Sequence, residues 1–333
     1  MTIKVIRPGL LTSVQDLGRY GMQKDGVIVG GAMDLFAFRL ANILVGNQEE
    51  KAALEIMMLG PQLEFLENTL IAICGGQLSP SVDGQPIPEW RPVLIKKGGI
   101  LSFGAMKTGC RAYIAITGGI DVPEVMGSRS TYLRAEMGGF QGRSLQEGDV
   151  LLTGSPSKWA IRTLHRLVGN SGSSLVAASK WTISQSVMPI YRNNPVIRVI
   201  RGGEFQWFSA KSREQFFKTD FWVTPQSDRM GYRLNGSELK LSEQNELIST
   251  AVTAGTVQVP ADGNPIVLMA DRQTTGGYPK IAQVATIDLP ILAQVKPGEI
   301  VRFHEIQLEE AQELLRVREW GIQLLKQGVQ LKD

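Results

Sequence analysis

The sequence predicts a mainly β protein with a few helices, organised as two β units, and three observations carry that expectation. Residues 70–74, 112–116, 196–200 and 266–269 are short, near-continuous apolar runs bounded by turn formers, as buried strands are. The 333-residue chain is longer than one ordinary core uses, and its 36 Gly and 16 Pro follow no fixed period, which implies many turns in a folded chain. Finally, the Asp-Gly-Gln-Pro-Ile of residues 83–87 returns as Asp-Gly-Asn-Pro-Ile at 262–266. The pattern of residues 96–103 likewise returns at 296–303, in the same order. Closed or two-layered β structure follows.

The elements are read in order. Residues 1–154 form an N-terminal β unit that includes one clear helix over 34–45. Asp34 is its N-cap, Phe36, Leu40, Ile43 and Leu44 share a face, and Gly46 lies just past its end. Residues 155–194 read as a seam or linker, because Gly, Asn and Ser cluster at 169–174 and Pro195 precedes a new strand. Residues 195–305 form the C-terminal β unit and 306–333 a last helix. Its apolar positions Leu308, Ala311, Leu315, Ile322 and Leu325 follow a heptad-like stripe, and Glu309, Glu310 and Glu313 sit where the helix dipole favours acids. Such a helix packs either on its own domain or on a partner.

Charge and residue supply exclude several functions. Thirty-five Lys and Arg against 32 Asp and Glu give a net charge of +3, too small for a nucleic-acid footprint, so no nucleic acid and no membrane is expected as a partner. The N-terminus has no signal-peptide core, and no apolar stretch approaches the roughly 18 residues of a membrane span. With only Cys74 and Cys110, both read as buried thiols, the expected compartment is the cytoplasm. His165 and His304 stand far apart without neighbouring Cys, so no metal site is assigned and any metal would be oxygen-bound. There is no phosphate loop and no G-x-G-x-x-G turn. Ala105-Met106-Lys107 lacks the flanking acid and second Met of a biotinylated lysine, so it reads as a turn between strands, with no biotin on this chain.

Four segments carry more polar, Gly-flanked residues than packing needs. Asp16 and Arg19 lie beside Gly18. Gly30 and Gly31 precede Asp34 at a helix start, where free N–H groups can hold an anion. Arg129, Ser130 and Thr131 mix a guanidinium with hydroxyls. Asp228-Arg229 and Asp271-Arg272-Gln273-Thr274-Thr275 repeat an Asp-Arg pair. Each pair also reads as a turn with a local or inter-loop ion pair, and Asp34 also reads as a helix cap alone. Taken together, the loops suit a small carboxylate, amide or phosphate.

These segments, with residues 41–47, Leu54-Glu55, Arg111-Ala112-Tyr113, Gly127-Ser128 and Gly276-Gly277-Tyr278-Pro279, resemble one family. Its members are variously called the C subunit of 5-oxoprolinase, antagonist of the sporulation-kinase inhibitor, and allophanate hydrolase subunit 2 or biotin-dependent carboxyltransferase-like protein. The resemblance runs from Ile6 to about Phe303. It implies two cyclophilin-like β-barrel units and a complex with two other proteins, a kinase-inhibitor-like B subunit and a lactam-utilisation-like A subunit. Such a complex opens 5-oxo-L-proline to L-glutamate with ATP, held by this chain or by a partner, and with Mg2+ as a candidate ion. A lactam is a poor electrophile, and phosphorylating its oxygen turns that oxygen into a leaving group. Cations and a water-orienting carboxylate are then needed. Arg19, Arg129, Arg229 and Arg272 are candidates for the first, Asp16, Asp228 and Asp271 for the second, and Gln273, Thr274 and Thr275 for holding the amide. The alternatives are a regulator that antagonises a histidine-kinase inhibitor, and a urea or amide carboxyltransferase-like protein.

Overall fold

The computed structural model describes residues 1–332 apart from Ser186 and residues 244–246, so Ser186 of the expected seam and Asp333 of the expected last helix lie outside the described residues. The chain divides into two compact units. One holds Met1–Gly18, Asp34–Pro189 and the chain from Trp320 onward; the other holds Arg19–Met33 and Ile190–Glu319.

The first unit is two-layered, with six strands in each sheet. One sheet runs Val150–Leu152, Thr2–Arg7, Gln62–Phe65, Ile100–Phe103, Pro80–Val82, Gln85–Pro86. The other runs Val176–Ala178, Val93–Ile95, Thr69–Gln77, Thr108–Ile116, Ala53–Met57, Leu11–Gln15. Period-two alternation sends Val14, Leu54, Ile56, Ile73 and Ile114 of the second sheet into one cluster with Ile3, Val5, Leu63 and Phe65 of the first. The residues between them, Ser13, Glu55, Tyr113 and Cys74, therefore face the other way. Helix α1 (Leu35–Leu44) covers that face, where the Phe38 ring meets Tyr113 edge-on at 6.0 Å between centroids.

Helix α1 begins and ends where its sequence signals place it. The Asp34 carboxylate accepts from the Ala37 N–H at 2.9 Å, and Gly46 follows the helix with φ +71°. A Cβ on Gly46 would lie 2.5 Å from Trp159 Cε3, so the absent side chain also makes room for the next helix. That helix, α2 (Lys158–Asn170), is capped by Ser157. The expected seam thus holds a helix and the edge strand Val176–Ala178, and the change of unit falls after Pro189. The helix buries the stripe Trp159, Ala160, Thr163, Leu167 and runs into the start of the Gly, Asn and Ser cluster. Gly104 to Lys107 connect two strands, as the turn reading required.

The second unit is a closed barrel in the order Val196–Arg201, Lys280–Val284, Thr256–Gln258, Ile266–Leu268, Gly231–Asn235, Phe221–Val223, Ile300–Glu305. Its first and last strands close it, and they pair in parallel. Helix α3 (Ala210–Lys218) contributes Phe216, which stacks on Phe303 at 4.5 Å inside the barrel core. Helix α4 (Leu289–Leu292) adds Leu292. The two halves share one turn. The Lys96 carbonyl accepts from Gly99 at 3.0 Å and that of Lys296 from Glu299 at 3.1 Å, with Gly98 at φ +87° and Gly298 at +89°.

Helix α5 (Leu308–Gln330) buries Ile322 and Val329. Arg318 donates to the carbonyls of Thr286 and Ile287, and Lys326 Nζ lies 3.1 Å from Glu49 Oε1. Among the described residues no helix is long and apolar enough to cross a membrane.

Candidate functional site

Two loops of the second unit converge on one carboxylate. Asp271 N–H donates to the Arg229 carbonyl at 2.8 Å, which clamps the loops together. The Arg229 guanidinium then meets Asp271 with Nε to Oδ2 and Nη2 to Oδ1, each at 2.9 Å, and Nη2 also donates to the Gly31 carbonyl at 2.5 Å. Both side chains are buried, so the bidentate geometry fixes the orientation of each and the loss of either would leave the other charge buried. Of the two readings of the Asp-Arg pairs, this one is an inter-loop ion pair.

Arg19 belongs to the same cluster. A Cβ on Gly30 would lie 3.6 Å from Asp271 Oδ1 and 3.7 Å from Arg19 Nη1, so carboxylate and guanidinium border one glycine. Gly30 and Gly31, at φ +66° and +85°, adopt a backbone that other residues rarely take. Arg272 differs from its neighbours. Its Nη1 donates to the Met269 carbonyl at 3.3 Å, but among the described residues its buried Nε has no hydrogen-bond partner and no carboxylate pairs with it. Burial pulls its pKa down, while Tyr20 and Asp271 act the other way. With Asp271 committed to Arg229, Arg272 leaves a cationic excess, the electrostatic condition for holding an anion.

Asp228 precedes Arg229 in a turn of its own. Its exposed carboxylate accepts from the N–H groups of Met230 at 2.8 Å and Gly231 at 3.2 Å, which fixes the turn entering the strand Gly231–Asn235. Gln273, Thr274 and Thr275 follow Arg272 into a two-stranded ribbon, in which Thr275–Gly276 pairs with Thr250–Ala251.

The remaining candidates lie in the first unit, where Asp16 gathers Arg129 and Ser130. Asp16 accepts from Ser128 Oγ (2.7 Å), Ser130 Oγ (2.5 Å), Gly18 N–H (2.8 Å) and Arg129 N–H (2.5 Å). Four donors on one carboxylate make an anchor for the 128–131 loop, and leave it poorly placed to take a proton from water. Thr131 Oγ1 donates to the Val14 carbonyl, and the Arg129 side chain turns to the Val122 carbonyl and Glu124. Arg129, Ser130 and Thr131, expected to grip an anion, here brace their loop through bonds to Asp16, Val14, Val122 and Glu124.

Asp34 heads a second buried network. Its N–H donates to Tyr113 Oη at 2.7 Å, and Tyr113 Oη donates to Glu55 Oε2 at 2.8 Å. Register places Ser13, Glu55, Tyr113 and Cys74 side by side on four adjacent strands. Burial, then Glu55 and Asp34, push the Tyr113 pKa up; burial, then Glu89 and Asp34, do the same to the Cys74 thiol. Glu89 itself is raised to about 7, by burial against the opposing pull of the Leu78 N–H and Lys107. Glu55 and Tyr113 stand in segments that carried the family resemblance, yet sequence reasoning missed this network. The available signal was an acid inside the apolar strand Ala53–Met57.

Residues 25–305, which include Arg229, Asp271 and Arg272, match the family model described as carboxyltransferase domain, subdomain A and B. The chain is similar to the 5-oxoprolinase C subunit of Haemophilus influenzae, 36% identical over 321 residues and 96% of each chain. It is also similar to the 5-oxoprolinase C subunit of Escherichia coli, 38% identical over 310 residues and 93% of each chain. Among solved structures it resembles the Kluyveromyces lactis urea carboxylase, with a TM-score of 0.87 and 34% identity, covering 98% of this chain and 29% of that one.

Proposed function

The chain belongs to the carboxyltransferase-domain family of subdomains A and B, and from that membership we propose that it is the C-type component of a 5-oxoprolinase. The complex would open 5-oxo-L-proline to L-glutamate with ATP hydrolysis in the cytoplasm, together with a kinase-inhibitor-like B subunit and a lactam-utilisation-like A subunit. The observation that carries this reading is end-to-end correspondence: two relatives with that name match over 93% or more of both chains.

The geometry supports an anion-handling role. Arg272, next to the Arg229–Asp271 pair and Arg19, would face the carboxylate of the substrate or the phosphate that activates its lactam oxygen. Asp271 then holds the cations in place rather than acting as the base. ATP is a substrate of the complex, held here or by a partner. Mg2+ would arrive with the phosphates, since among the described residues no group of three His, Cys, Asp or Glu is placed to hold a metal.

A second reading, urea or amide carboxyltransfer, is favoured by the urea carboxylase likeness, but this chain spans only 29% of that protein. Co-expression with the two partner proteins, followed by ATP-dependent glutamate release from 5-oxo-L-proline with each component omitted in turn, tests the proposal. Release that requires this chain is expected. A stable complex that releases no glutamate overturns the reading, and urea is then the substrate to try.

A further inference from the structure

Gln258 is a polar side chain in a place that packing does not explain. It ends the barrel strand Thr256–Gln258, between the core residues Val257 and Val259, and only 5% of it is exposed. Its neighbour on the same face, Thr256, is satisfied by donating to Gln283 Oε1 at 2.9 Å. Gln258 is not: among the described residues its side chain makes no hydrogen bond, and Nε2 is buried without a partner. Burying an amide in that state is unfavourable, and a fold without use for the group avoids it by placing Val or Leu there.

The surroundings are built around this amide. Gly276 of the ribbon lies directly against it, and a Cβ there would collide with the Gln258 amide nitrogen. Glycine at that position is what lets the ribbon close over the group. Lys280, the cross-strand partner of Gln258, is drawn aside by Thr250 Oγ1 at 2.8 Å and Glu204 at 3.7 Å, so it does not bond the amide. The cover itself is weak, because the ribbon has two residues per strand.

We infer that Gln258 is a recognition site for a cyclic amide, a reading that rests on the lactam chemistry proposed above. A primary amide presents an N–H donor and a C=O acceptor side by side. In a five-membered lactam the ring forces the C=O and N–H onto the same side, in the complementary order. Such a ligand accepts from Gln258 Nε2 and donates to Gln258 Oε1 in one closed pair of hydrogen bonds, which an open-chain trans amide cannot form. The adjoining Thr274 and Thr275 then belong to the flap over the ring rather than to its first contact. The site discriminates a lactam from the amino acid it yields, since ring opening destroys the paired edge.

Calorimetric titration of the full chain with 2-pyrrolidinone and 5-oxo-L-proline, with L-proline as a ring lacking the amide, tests the inference. Binding of both lactams and not of L-proline is expected. Gln258→Leu should weaken lactam binding at least tenfold while leaving Tm unchanged or higher, because an unsatisfied buried amide has gone. Gly276→Ala, which displaces the same amide without touching the barrel strand, should weaken it too and keeps the test open if Gln258→Leu misfolds. Lactam affinity unchanged in these variants, or equal affinity for L-proline, overturns the site. Turnover of the assembled complex reports separately: glutamate release by wild type with unaltered binding in Gln258→Leu removes this site alone, whereas no release by wild type removes the functional reading.

Discussion

Arg229 and Arg272 flank the same carboxylate yet carry opposite expectations. Arg229 is the buried partner of Asp271, so Arg229→Ala deprives a buried carboxylate of its bidentate partner and should cost about 3–5 kcal/mol of stability. Arg272 makes no ion pair among the described residues, so Arg272→Ala should change stability by less than about 1 kcal/mol and lower turnover of the complex on the order of 100-fold. Thermal melts beside glutamate-release assays separate the two; a collapse of Tm in Arg272→Ala would make it a structural brace. That the Asp-Arg loops could hold an inter-loop ion pair was readable from residue type. Which Arg is spent inside the fold and which is left over could not, because partner choice depends on loops 42 residues apart in sequence. The same limit hid Gln258, whose buried amide nitrogen has no hydrogen-bond partner among the described residues.

Among the elements, α1 was readable to within a residue at each end, because its cap, its apolar face and its terminal glycine all act locally. Gly46 carries two burdens at once. Its φ of +71° disfavours any Cβ, and the ring of Trp159 occupies the space a Cβ would take. Gly46→Ala should therefore cost more than the roughly 1 kcal/mol of a left-handed residue alone, on the order of 2–3 kcal/mol. Chemical denaturation measures this, and a loss below about 1 kcal/mol would show that α2 shifts away freely. Helix α2 itself was obscured: the Gly, Asn and Ser cluster that suggested a linker begins where the helix ends.

For the whole molecule, the mainly β character was plain from the spacing of apolar runs, whereas the course of the chain was not. Arg19–Met33 belongs to the second unit although first-unit residues lie on both sides of it in sequence, and no local pattern announces such an excursion. Glu89 gives the molecule a pH dependence of stability. Its folded pKa, about 7, lies above its ordinary 4.5, so the native state holds a proton that the unfolded chain releases between those values. The stabilisation is complete below about pH 4.5 and is lost as the pH rises through 7. Allowing for partial exposure, wild type should lose on the order of 2 kcal/mol relative to Glu89→Gln across that interval. Denaturation at about pH 5 and about pH 8, on either side of most of the interval, checks it. Parallel pH profiles for the two proteins would refute it.

Closure of the barrel by its first and last strands also sets a clock on biosynthesis. Arg201 and Glu305, which pair across that seam, are 104 residues apart in sequence. A ribosome takes roughly 5–20 s to make that length of chain. Throughout that time Val196–Arg201 exposes an unsealed strand edge, and with it Ile197 and Val199, which end up fully buried. Translation speed and chaperone occupancy over this interval, more than the final stability of the protein, should govern how much of it reaches the native state in a cell.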